Sequence, residues 1–201
     1  MIDVQQVLEL HERTVALWHT QPISNDYQGV LQLVCQQHIF NYELWHQEDI
    51  ARSHDVSDAE IAHVKRAIDG LNQARNDHIE KLDDWLTDQL TQRQIVASPQ
   101  ALQNTETPGS AIDRLSIMSL RLYHYREQLQ RTDTDEEHAA KVQQRIALCE
   151  EQRRDLSRSL VQLLTDILAG QRVHKTYRQM KMYNDPSLNP YLYQQQAKSP
   201  A

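Results

Sequence analysis

Over 201 residues the chain carries only 4 Gly and 6 Pro, and most of the prolines fall in two places, between 95 and 109 and after 185. Gly and Pro cost a helix interior most, about 1 and 3 kcal/mol respectively. A chain that confines them to two segments can run elsewhere as long, uninterrupted helices. The expected class is all-α. A chain of this length can bury one sizeable core and is marginal for two.

Apolar spacing divides the chain into five helical stretches. The first, from about Asp3 to Thr20, carries Val4, Val7, Leu8, His11, Val15 and Trp18 on one stripe, and "QPISND" ends it. The second spans roughly 26 to 54. "SHDVSD" then supplies a turn and an N-cap for the third, from Ala59 to about Gln94, with Ile61, Val64, Ile68, Leu71, Leu82 and Leu86 on one side. The loop "IVASPQALQNTETPGS" ends at Ser110, which reads as the N-cap of a fourth helix over 111–131. That helix is apolar on nearly every side (Ile112, Leu115, Ile117, Met118, Leu120, Leu122), so it is expected at the centre. The fifth starts near "DTDEE" and runs to Ala169, on a seam of Val142, Ile146, Cys149, Arg153, Leu156, Leu160, Leu163 and Ile167. The expectation is an elongated bundle over 1–170, of about five long helices in antiparallel hairpins. Residues 171–201 are expected to form a short helix and an extended C-terminal arm packed on it.

A formal charge of -7 and a pI near 5.8 argue against sequence-blind nucleic-acid binding, which needs clustered Lys and Arg. The N-terminus has no basic region followed by an apolar core, and no apolar run approaches the roughly 20 residues that span a bilayer. A cytoplasmic protein without membrane partners is expected. Cys35 and Cys149 sit on apolar stripes without CxxC spacing and read as small buried hydrophobes. Apolar ends on such long helices also suggest a homodimer.

Polar side chains intrude on these stripes. On the second helix the inward line is Leu31, Val34, Cys35, His38, Tyr42, Trp45, Asp49 and Arg52, with Asn41 and Glu48 at its edge. Arg75, flanked by Asn72 and Asn76, does the same on the third helix, and Arg153 on the fifth. A buried charge without a partner costs several kcal/mol, so counter-charges are required. Hairpin geometry places His38, Asn41 and Tyr42 level with Asp69, Asn72 and Arg75, and Arg153 level with Asp113, giving an expected Asp113–Arg153 pair. Such a set either fixes helix register or lines a pocket between helices, where bundles place ligands.

Other motifs carry less. Glu43-x-x-His46 and Glu60-x-x-His63 have the spacing of di-metal bundle ligands, but Glu43 points away from the stripe and the second pair lies at a helix end. Glu80-x-x-Asp83 could hold Mg²⁺ but lacks a preceding Glu-x-x-Glu. Gly109 and Ser110 open the fourth helix with free N–H groups that attract anions, with Arg114 and Arg153 placed to assist, although ordinary capping accounts for them. No Gly-rich phosphate loop, nucleophile elbow, CxxC pair or HExxH sequence occurs, so no cofactor and no resident metal are read.

"NYELWHQEDIAR" (41–52), "VKRAIDGLNQARNDHIE" (64–80), "ETPGSAIDRLSIMSLRLYH" (106–124) and "KMYNDPSLNP" (181–190) together resemble an uncharacterised bacterial family, domain-of-unknown-function family 4254. The resemblance covers about 38 to 190. It implies a cytosolic helical protein, an ordered "YNDPSLNP" segment against the bundle, and no established activity. The residues thus point first to a ligand-binding or interaction protein with an interhelical site for an anionic small molecule, lined or braced by His38, Asn41, Trp45, Asp49, Arg75, Asn76, Asp113, Arg114 and Arg153. The enzymatic alternative is a metal-dependent hydrolase of phosphorylated or nucleotide substrates, with Asp49, Glu80, Asp83 or Asp113 on Mg²⁺ and His38 as general base.

Overall fold

The computed structural model describes residues 1–182 and 185–196. Its helices, in chain order, are α1 (Val4–Trp18), α2 (Val30–Ala51), α3 (Asp58–Gln92), α4 (Pro108–Leu129), α5 (Glu136–Leu168) and α6 (Pro190–Gln196). Four of the helix starts follow local chemistry. Asp3 accepts from the N–H groups of Gln5 and Gln6, Ser57 from Glu60, Thr107 from Ser110 and Asp135 from His138, each supplying an acceptor for otherwise orphaned donors. Glu136 and Glu137 then favour the positive end of α5.

The expected α4 cap is displaced by three residues. Thr107 caps the helix and Pro108 occupies the first turn, where its missing N–H costs nothing. Ser110 is already inside. α2 also begins later than expected, because Gly29 adopts φ +61° and only then does the chain turn helical.

α2 packs on α3 and α4 on α5 as two hairpins, α1 lies along α4, and α4 touches all four of the other long helices. Its central place explains why Ile112, Leu115, Ser116, Leu120 and Leu122 are all buried. Ser116 and Ser119 supply the small side chains that allow this approach, and Ser119 bonds back to the Leu115 carbonyl. α2 is buried on several faces, with Gln37 enclosed as fully as Val34 and Cys35, and Leu44 buried as well. Both cysteines are free and buried, and burial pushes the Cys35 thiol up to about 12. A smaller cluster of Leu44, Val64 and Ile68 closes the tip of the first hairpin. No helix among the described residues is long and apolar enough to cross a membrane.

After Gly170 (φ +69°) the order of the tail is the reverse of that expected: an extended segment comes first and the short helix last. Leu102 forms a parallel bridge with Arg172, its N–H donating to Gln171 O and its carbonyl accepting from the Val173 N–H, both 3.0 Å. Further on, Arg178 pairs with Glu80 and Asp84 of α3, and the Gln179 N–H donates to Glu80. In "YNDPSLNP", Tyr183 and Asn184 lie outside the described residues. Asp185 to Asn189 form a turn leading into a largely exposed α6.

α4 approaches α3 closely at Gly109. A Cβ there would stand 2.6 Å from the Ile79 carbonyl oxygen and 3.0 Å from the Asp83 carboxyl. Since the first obstacle is backbone, Gly109→Ala is expected to cost about 2 kcal/mol in urea unfolding, the usual penalty for overpacking. A loss below about 0.5 kcal/mol would show that the helices can part there at little cost.

Candidate functional site

Asp113, one turn into α4, is the hub of the polar layer. Its carboxylate, only 5% exposed, accepts from Arg75 Nε at 2.7 Å and from the second arm of the same guanidinium, making a bidentate pair across α3 and α4. Asn41 of α2 donates to it at 3.0 Å and Gln37 adds a second amide. Asn41 also donates to the Ser116 hydroxyl at 2.9 Å, and His38 Nδ1 shares that hydroxyl at 2.7 Å. Three helices are thereby tied at one height. Asp113 has its acceptor positions filled by protein donors, and of these groups only Arg75, 24% exposed, reaches the surface.

The expected Asp113–Arg153 pair does not form. Arg153 instead points toward α1 and meets Glu12 at 3.4 Å, with Arg126 on the same carboxylate at 3.2 Å. Level heights in the α4–α5 hairpin are compatible with both arrangements, because α4 has partners on every side and Asp113 faces α2 and α3. Asp49 and Arg52 are exposed near the end of α2, where Arg52 pairs with Glu48, so neither enters the core. Arg114 is also exposed and pairs with Glu106 at 2.8 Å. Asn76 is half-buried on α3, and Trp45 lies against His124 with rings 4.6 Å apart and nearly parallel. Asp69, expected level with His38, is exposed and paired with Lys65.

The carboxylates considered for Mg²⁺ are separately engaged. Glu80 holds Arg178 and the Gln179 N–H of the tail. Asp83 accepts from the Gly109 N–H at 2.8 Å, so the helix start that could attract an external anion is met by an internal one. Burial pushes the Asp83 carboxyl up, against the opposing bonds from Thr107 and Gly109.

A second constellation escaped the sequence reading. His19 at the end of α1, His46 on α2 and His124 on α4 converge with ring centroids 5.1 to 5.9 Å apart. One ring nitrogen from each lies within 4.8 Å of the others. His19 Nδ1 bonds the Val15 carbonyl at 2.6 Å and His124 Nδ1 bonds the Glu127 carboxylate at 2.7 Å, while Nε2 of all three is buried without a hydrogen-bond partner. Burial, then the two neighbouring imidazoles, lowers the pKa of His46. Tyr123 stacks on His19 at 4.1 Å, and Tyr42 sets its edge to both His19 and His46. The one sequence signal was Glu43-x-x-His46, which paired His46 with the wrong partner. Nothing in periodicity says that three helix segments far apart in sequence meet at one point.

The chain belongs to a family of proteins of unknown function, DUF4254, whose model matches residues 31–176. That span holds the polar layer, His46 and His124, whereas α1 with His19 precedes it. Comparison with curated proteins and with solved structures gives no match.

Two expectations follow. Arg75→Met leaves Asp113 buried with amide donors but no counter-charge and should cost about 3 kcal/mol in denaturant unfolding, whereas Arg153→Met frees a Glu12 that is 51% exposed and should cost less than about 1 kcal/mol. Equal losses would remove Asp113 from its central role. The second concerns pH. Burial holds His38 down to about 3 and His11, its ring tilted against it at 4.6 Å, well below its ordinary value, so the folded chain refuses protons that the unfolded chain accepts. Stability should be unaffected by these groups above pH 6.5 and fall below it, by about 1.4 kcal/mol per pH unit for each histidine, down to about pH 3 for His38. The slope from urea titrations between pH 7 and 5 should flatten in His11→Gln.

Proposed function

We propose that this protein is a helical ligand-binding protein whose ligand is a small anion with an apolar body, held in the cleft between α4 and α5. The reading rests on Arg121. Its guanidinium is exposed on the wall of a cleft of about 680 Å³ and has no ion-pair partner among the described residues. Arg114 stands on the same cleft, already paired with Glu106, while Ile117, Met118 and Leu156 offer apolar surface. The cleft shares Glu106 and Ser159 with a second of about 420 Å³ that reaches Arg172. Its size suits a small molecule, and a free guanidinium suits a carboxylate or phosphate.

In this reading the ligand occupies the outer face of α4, and the Asp113 layer braces that helix from within. Asp155 also lines the cleft, which favours a ligand bearing a donor as well as its anionic group. The alternative, a hydrolase using Mg²⁺, draws no support from the carboxylates named for it, since Asp113, Glu80 and Asp83 are bonded to separate protein donors and Asp49 stands apart.

A thermal-shift screen of phosphorylated and carboxylated small molecules, with inorganic phosphate alongside, tests the proposal. At least one amphipathic anion should raise the Tm of the wild type and fail to do so with Arg121→Glu, whose unliganded stability should stay within about 0.5 kcal/mol of wild type at this exposed position. An identical response in both proteins, or none in either, would overturn it.

A further inference from the structure

The three imidazoles at the junction of α1, α2 and α4 present an arrangement that packing alone leaves unexplained. A buried polar atom without a partner costs about 1 to 3 kcal/mol, and here Nε2 of His19, His46 and His124 is each buried unpartnered, in three rings that bring one nitrogen apiece within 4.8 Å of the others. Hydrogen bonds to Val15 and Glu127 fix the protons of His19 and His124 on Nδ1, which leaves Nε2 of both rings as the nitrogen with a lone pair free to bind. A ligating histidine typically has this outer-shell arrangement, its other ring nitrogen donating to a carbonyl or a carboxylate. We propose that His19, His46 and His124 form a binding site for one divalent transition-metal ion of the zinc class.

Nitrogen ligands at about 2.0 to 2.1 Å in a tetrahedron stand about 3.3 Å apart, so the present spacing within 4.8 Å closes by modest side-chain rotation. Imidazoles favour zinc, cobalt, nickel or copper over Mg²⁺ and Ca²⁺, which take oxygen. Three protein ligands leave a fourth position for water or another small ligand. The ion would join the end of α1 to the second halves of α2 and α4, so its binding also stabilises the fold. This site is separate from the proposed ligand cleft on the α5 side of α4, and neither proposal depends on the other.

Titrating the chelator-stripped full chain with Zn²⁺, Co²⁺ and Mg²⁺ provides the test. Zn²⁺ should saturate at one equivalent and raise the Tm, Co²⁺ should give the intense visible bands of a four-coordinate ion, and Mg²⁺ should do neither. His46→Gln and His124→Gln should each weaken Zn²⁺ binding more than about tenfold, with the exposed His63→Gln unchanged. Glu127→Gln changes a half-exposed side chain that only orients His124, and should still weaken binding by about tenfold. Should the histidine variants fail to fold, Trp45 provides an independent readout, since it stacks on His124: Co²⁺ should quench it with the same one-equivalent end point, and Trp45→Phe should remove that component. Absence of saturation at one equivalent, or affinity unchanged in Glu127→Gln, would overturn the proposal.

Discussion

A single carboxylate, that of Asp113, is the constraint around which the helices are arranged. It is buried on the most enclosed helix of the bundle, and a charge there is tolerable only if donors surround it. Arg75 supplies the opposite charge from α3, while Gln37 and Asn41 supply amides from α2. Sliding α2 or α3 by one turn would part these groups by about 5.4 Å and leave the charge exposed to hydrocarbon. The apolar contacts of Leu, Ile and Val tolerate many registers, and the Asp113 layer accepts one.

The same layer shapes what the rest of the molecule can do. With Asp113, Arg75, Asn41 and Ser116 bonded to one another, it ties α4 to α2 and α3 and leaves chemistry to the helix's other faces. On one side, toward α5, lies the cleft with Arg114 and Arg121. On another, toward α1 and the end of α2, lie the three histidines. His38 connects the two polar regions, bonding Ser116 within the layer and lying 5.2 Å from the ring of Trp18, whose carbonyl holds Tyr42 beside His46.

How much of this was legible beforehand depended on the range of the interaction. Helix caps and stops are local, so an N-cap within "SHDVSD", the stop at Gly170 and the acids of "DTDEE" were readable from spacing. Thr107 was missed because Ser110 had the right chemistry three residues later, and Pro108 was not weighed as a first-turn residue. The polar layer was half legible: an antiparallel hairpin fixes height, which brought Asn41 and Arg75 together, yet height says nothing about direction around α4. Arg153 therefore received the wrong partner. Asp49 was misplaced for a simpler reason, since a stripe continues in sequence to a helix end even where no neighbour remains to cover it.

The sequence by itself determined that this chain is helical, where most helices begin and end, and that charged groups would have to be compensated inside, because capping, periodicity and the cost of burying a charge are properties of residues and their near neighbours. Tertiary structure alone decided which guanidinium met Asp113, that Asp83 would cap α4 rather than bind an ion, and that His19, His46 and His124 would share one space. Those outcomes depend on the rotation of helices about their own axes and on which ends coincide. Such choices are settled by the summed packing of the whole core, and no short stretch of residues encodes them.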